Sequence, residues 1–175
     1  MRKWTMEELA RKSVDAFHQA AKNPIVIVLD NVRSMHNVGS VFRTADSFLL
    51  QGIWLCGYTP RPPHRDIQKT ALGATETVAW HYTTTTAEAI LLLKNEGYEI
   101  VCVEQAEGSI PLHEFKPEKG SKIALVFGNE VEGVDADIVA GCNMCIEIPQ
   151  SGTKHSLNIS VAAGIVMWEL YKFYI

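Results

Sequence analysis

With 175 residues, 47% of them apolar, the chain is long enough to bury a sizeable core and falls in the size range of one domain. The longest apolar run is broken by Asn158 and Ser160 and is too short to span a bilayer; no positively charged leader precedes an apolar stretch at the N-terminus, so a cytoplasmic protein with no membrane partner is expected. The net charge of −4 weighs against indiscriminate nucleic-acid binding but hides an asymmetry: residues 1–75 hold ten Lys and Arg against six Asp and Glu, a surplus of four that leaves −8 for the rest.

In chain order, MRKWTMEELARKSVDAF predicts an amphipathic helix opening on Thr5 and Glu8 at capping-box spacing, part of a short helical extension over about residues 1–23. PIVIVLD (24–30) reads as a buried strand. In NVGSVFRTADSFLL, Val38, Val41, Phe42, Ala45, Phe48 and Leu49 share one helix face, while Arg43 stands on a polar face with Ser40, Thr44 and Ser47. After a second strand, GIWLCG (52–57), the segment GYTPRPPHRDIQKTALGA predicts the one long irregular stretch; its Arg61, His64, Arg65 and Lys69 are candidates for contacting phosphates. TVAWHY (77–82) predicts a third strand, AEAILLLKNEG a helix ended by Gly97, and EIVCV (99–103), KIALVF (122–127) and CIEI (145–148) three more strands. The last helix, LNISVAAGIVMWELYKF, is apolar on nearly every side through three turns, which calls for a sheet on one side and another subunit on the other. Strands alternating with helices predict an α/β domain over residues 1–175 with a mostly parallel sheet flanked by helices.

The cysteines of the strand-like runs, Cys56, Cys102 and Cys145, read as small apolar residues. Cys142 and Cys145 have CxxC spacing but lack the second ligand pair of a structural zinc site, so no metal is expected. Ligands of open parallel sheets bind outside the carboxyl ends of the strands, and three polar clusters lie there: NVRSMHNVGSVFR, GNEVEGVD and PQSGTKHSLN. No GxGxxG or P-loop motif accompanies them, so neither common phosphate cradle is supported, and the competing reading of a small-molecule hydrolase lacks a GxSxG nucleophile elbow. Each residue has a plain structural reading: Asn37 or Ser156 capping a helix, Arg43 paired with Asp46, Gly128 a turn glycine, Glu130 a solvated carboxylate. Their convergence on one site is the alternative.

These clusters resemble the three motifs of the SpoU (TrmH-like) branch of the SPOUT RNA methyltransferases: NVGSVFRTAD the first, LVFGNEVEGVD the second, IPQSGTKHSLNISVAA the third, over about residues 24–171. The resemblance implies a SPOUT fold with a deep C-terminal trefoil knot, acting as a homodimer that methylates a ribose 2′-hydroxyl of RNA with S-adenosylmethionine. It implies catalytic roles for Arg43, Asn37, Glu130, Ser156 and Asn158, and a cofactor held around Gly128, Ile148, Leu157 and Glu104. Gln150 departs from the methionine common in the family. Arg33, His36 and Lys154 join Arg61, His64, Arg65 and Lys69 as the expected RNA-contacting residues. The short segment before the first strand points to tRNA in preference to rRNA, with a catalytically silent RNA-binding paralogue as the alternative.

Overall fold

The apolar runs fold as strands because each can bury both faces at once. In β1 (Asn23–Asp30), Ile25, Ile27 and Leu29 enter one core while Val26 and Val28 enter the other, the period of two that a pleated strand imposes. The computed structural model, which describes residues 1–5 and 7–175, adds β2 (Leu50–Cys56), β3 (Trp80–Thr83), β4 (Tyr98–Val103), β5 (Ile110–Pro111), β6 (Lys122–Phe127) and β7 (Met144–Glu147). The seven strands form one sheet in the order β3-β2-β1-β6-β4-β7-β5, and each adjacent pair is parallel.

The helices are α1 (Val14–Gln19), α2 (Met35–Ser47), α3 (Arg65–Ala71), α4 (Ala74–Thr77), α5 (Thr86–Asn95), α6 (Ala136–Gly141) and α7 (Ile159–Tyr171). One face of the sheet carries α2, α3 and α7, with Val38, Phe42, Ile67, Ala163 and Met167 in its core; the other carries α5 through Ala89, Ile90 and Leu93, with Ile138 and Val139 of α6 packed beside them. After β7, beyond β4, the chain returns as α7 to pack on α2. The deep knot expected of the C-terminal segment fits this path.

Three expectations need correction. Thr5 and Glu8 do make reciprocal capping bonds, Glu8 Oε2 accepting from the Thr5 amide at 2.8 Å and Thr5 Oγ1 from the Glu8 amide at 3.3 Å, yet they close only a turn. The helix proper starts at Val14, capped by Ser13, and buries only Phe17, so the preceding segment has no surface to pack against. Met6, within the predicted helix, lies outside the described residues.

The supposed irregular stretch holds α3 and α4. His64 caps α3 by accepting from the Asp66 amide at 3.1 Å, and Ile67 and Ala71, four residues apart, are buried. The three prolines all precede that cap and mask a short amphipathic helix. Residues 74–77 are α4, so β3 begins only at Trp80. The two-residue β5 at the sheet edge was not foreseen.

Candidate functional site

The three polar clusters meet at the carboxyl ends of β1, β6 and β7, and the second is shaped by close backbone approach. A side chain at Gly128 would place its Cβ 1.9 Å from the carbonyl carbon of Gly133, because the loop folds back to bond Asn129 to Gly133 in both directions at 3.1 Å. Asn129 Oδ1 accepts from the amides of Val131 and Glu132, both at 2.9 Å. Gly133 has φ +72 and leaves room for Glu104, whose Oε2 accepts from the Val134 amide at 3.1 Å.

This clasp presents Glu130 to the first cluster. Its Oε2 accepts from the Arg33 amide at 3.0 Å, and its Oε1 from the Ser34 amide at 3.1 Å and from Asn37 Nδ2 at 2.9 Å. Burial pushes the carboxyl up, but these donors, led by the Arg33 amide, outweigh it and hold the group below its ordinary range. Asn37 Oδ1 in turn accepts from Asn158 Nδ2 at 3.2 Å, and Asn158 Oδ1 accepts from the amide and hydroxyl of Ser160 at 2.9 and 2.7 Å. A continuous chain of hydrogen bonds thus joins all three clusters.

The structural alternatives can now be decided. Ser34, not Asn37, caps α2, so the Asn37 side chain is free for Glu130 and Asn158. Asn158, not Ser156, caps α7. Asp46 accepts from Thr77 Oγ1, and Arg43, exposed on the outer side of α2, makes no side-chain hydrogen bond or ion pair among the described residues. Glu130 holds three donors and is no idle surface charge.

Between β4, β6, β7 and the start of α7 lies a cavity of about 440 Å³, a size usual for small-molecule sites. Its walls include Glu104, Gly128, Glu130, Ile148, Ser156, Leu157 and Asn158, seven of the nine positions predicted for catalysis or cofactor binding. Asn37 abuts it through Glu130 and Asn158; Arg43 does not line it, standing six residues further along α2, roughly 9 Å of helix. Gln105, absent from the sequence expectations, helps shape the wall by donating from Nε2 to the His155 carbonyl at 2.8 Å. From residue 149 to 157 the chain makes no backbone-to-backbone hydrogen bond among the described residues, and Gln150, His155, Ser156 and Leu157 of this stretch line the cavity.

Asp30 was also missed, and its only sequence signal is a carboxylate closing an apolar run. It is 2% exposed and ties three loops together: its oxygens accept from Thr86 Oγ1, from Asn31 Nδ2 at 3.0 Å and from the Asp135 amide at 3.2 Å. Among the basic candidates, Arg33, His36, Arg61, Arg65, Lys69 and Lys154 are exposed. Lys69 is paired with Asp66 at 2.7 Å. All four cysteines are free; burial pushes the Cys56 thiol up to about 11, and the Cys102 thiol is raised by its hydrogen bonds with Cys142 and Cys145. No helix among the described residues is long and apolar enough to cross a membrane.

The model of the SpoU rRNA Methylase family matches residues 24–168. The 23S rRNA (guanosine-2′-O-)-methyltransferase RlmB of Neisseria meningitidis is 30% identical over 155 residues, a match covering 89% of this chain and 61% of that protein. RlmB of Pasteurella multocida is 30% identical over 170 residues, covering 95% of this chain and 67% of the relative. The chain thus spans less than two thirds of the Neisseria protein's length. Among solved structures, the AdoMet-bound rRNA methyltransferase from Sinorhizobium meliloti is similar with a TM-score of 0.80 at 27% identity, over 94% of this chain and 62% of that one. The TrmH/SpoU tRNA modifying enzyme of A. aeolicus gives 0.79 at 26% identity, over 91% and 79%. By sequence, by sheet order and by the meeting of its three clusters, the chain belongs to the SpoU rRNA methylase family, the SpoU branch of the SPOUT methyltransferases.

Proposed function

We propose that the protein methylates a ribose 2′-hydroxyl in RNA, with S-adenosylmethionine held in the cavity between β4, β6 and β7. The observation that carries this reading is the hydrogen-bonded chain from Glu130 through Asn37 to Asn158 along the wall of that cavity. The backbone of residues 149–157, which makes no backbone-to-backbone hydrogen bond among the described residues, offers donors and acceptors to an adenine edge, and each oxygen of Glu104 keeps a lone pair for ribose hydroxyls beyond its bonds to the amides of Val134 and Gln105. Bound there, S-adenosylmethionine supplies a methyl group activated by its sulfonium charge.

The chain's own residues then orient the acceptor. Arg43 is a poor general base, because a guanidinium stays protonated at any ordinary pH and a nearby phosphate strengthens that state. It serves instead as an anchor, a planar fork that grips an RNA phosphate and stabilises the charge developing on the attacking oxygen. Ser156 and Asn158 fix the position of the reacting hydroxyl, and positioning alone contributes several kcal/mol, on the order of 7 in favourable cases.

A homodimer completes the reading. Along α7, Val161, Ile165 and Trp168 are 50%, 39% and 47% exposed at positions i, i+4 and i+7, an apolar stripe on the side away from the sheet. A second copy is the occupant that the family resemblance implies.

The test is transfer of labelled methyl from S-adenosylmethionine to total tRNA and, separately, to rRNA, by wild type and Arg43→Ala. The two pools are separated because the relatives divide between them: RlmB is named for 23S rRNA and the A. aeolicus enzyme for tRNA. Alkali-resistant incorporation into one pool, lost in the variant, supports the reading. Cofactor binding without transfer to either pool points to a missing partner or an unusual substrate, and absence of cofactor binding sinks the enzyme reading in favour of a silent RNA-binding paralogue.

A further inference from the structure

At the ends of β2 and β3, across β1 from the strands that wall the cavity, two tyrosines stand in solvent with a guanidinium over each. Tyr58 is 57% exposed, with Arg33 5.9 Å from its ring centre; Tyr82 is 38% exposed, with Arg61 at 4.1 Å. Neither phenol makes a hydrogen bond to the protein among the described residues, so packing does not account for their placement. The first pair is tied to the site. The Arg33 amide donates to Glu130, and the Tyr58 amide donates to Asn31 Oδ1 at 3.2 Å, within the same loop after β1. Parallel register sets Tyr82 beside Leu55, on the side of the sheet that carries α2 and α3.

An exposed aromatic ring with a cation beside it suits one kind of ligand. A base stacks on the ring or on the guanidinium plane, and the adjoining phosphate meets the positive charge. Duplex RNA keeps its bases in the stack and offers only backbone and a shallow groove, so it gains nothing from such rings. We propose that Arg33–Tyr58 and Arg61–Tyr82 form a two-place stacking subsite for unpaired nucleotides flanking the target, so that the substrate class is RNA with a single-stranded loop. The inference rests on the RNA reading of the cavity and adds to it a selection of looped over paired RNA.

The test is binding, measured apart from methyl transfer. Fluorescence anisotropy follows a labelled RNA stem closed by a wide unpaired loop, and the same stem as a continuous duplex, with wild type, Tyr58→Ala, Tyr58→Phe and Tyr82→Ala. Removing one ring costs roughly 5- to 100-fold in affinity for the looped RNA and leaves duplex affinity unchanged, while Tyr58→Phe binds like wild type. Thermal melts establish that the variants are folded, and Tyr58, the more exposed ring, carries the argument if Tyr82→Ala is unstable. Equal affinity of wild type for the two RNAs, or equal losses on both ligands in the alanine variants, overturns the inference. If methyl transfer fails in every pool while the loop preference persists and depends on the rings, the stacking subsite stands and only the enzymatic reading falls.

Discussion

Glu130 shows how one carboxylate in a cavity wall can organise the loops around it. It receives donors from Arg33 and Ser34 of the loop after β1 and from Asn37 of α2, and replacing it by glutamine leaves a single oxygen to serve them and turns an amide NH₂ towards a backbone N–H. Glu130→Gln is expected to lower stability by about 1 kcal/mol and weaken cofactor binding, checked by urea denaturation and calorimetry. Its pH dependence has a definite sign. Because the folded carboxyl is held below its unfolded range, its contribution is complete above that range and disappears as the pH falls through the folded value; the stability gap between wild type and Glu130→Gln is constant near neutrality and closes in acid. Arg43 gives the second prediction at this scale. Arg43→Lys keeps the charge and loses the fork, so turnover falls roughly 10- to 100-fold with cofactor affinity unchanged, whereas near wild-type turnover removes the anchoring role. The convergence of the three clusters was legible from their place at the carboxyl ends of the strands, and the positions that the family resemblance singled out within them mostly line one cavity. What could not be read was who holds whom: Ser34 and Asn158 cap the helices, and Asp30 and Gln105 entered only with the fold.

At the scale of elements, close packing of α3 on α2 sets where the basic residues stand. A Cβ at Gly39 would lie 2.3 Å from the Ile67 carbonyl oxygen and 2.2 Å from Thr70 Oγ1; the first contact is backbone and cannot swing aside. Gly39→Ala is expected to cost about 1–3 kcal/mol, a fall in Tm of roughly 2–10 °C, and to weaken RNA binding more than cofactor binding, because the shifted helix carries Arg65 and Lys69. Calorimetric melting and separate titrations with RNA and S-adenosylmethionine check this. The sequence revealed the strands and the long helices through their periodicity, but α3 escaped notice: at seven residues, directly after three prolines, its two buried positions are too few to make a pattern.

At the scale of the whole molecule, the exposed stripe on α7 is the counterpart of its buried face. The stripe shares its end with an aromatic group in which Phe48 stacks on Tyr171 at 5.0 Å and approaches Trp168 at 5.9 Å. Trp168→Glu places a charge where the second copy is proposed to dock, so the dimer dissociation constant rises at least about 100-fold and the chain sediments as a monomer. Methyl transfer falls with it; sedimentation as an undiminished dimer places the interface elsewhere. The parallel α/β class followed from the alternation of strands and helices, whereas the strand order did not, because local periodicity carries no information on which distant strands become neighbours.

That order governs how the chain can be assembled as it leaves the ribosome. β1 and β4 are separated in the sheet by β6, so two strands, each apolar on both faces, emerge with facing edges that have no partner until residues 122–127 arrive. Vectorial synthesis therefore leaves the middle of the sheet open until β6 is made, with two apolar strand edges exposed over that interval, and one strand then closes both edges at once.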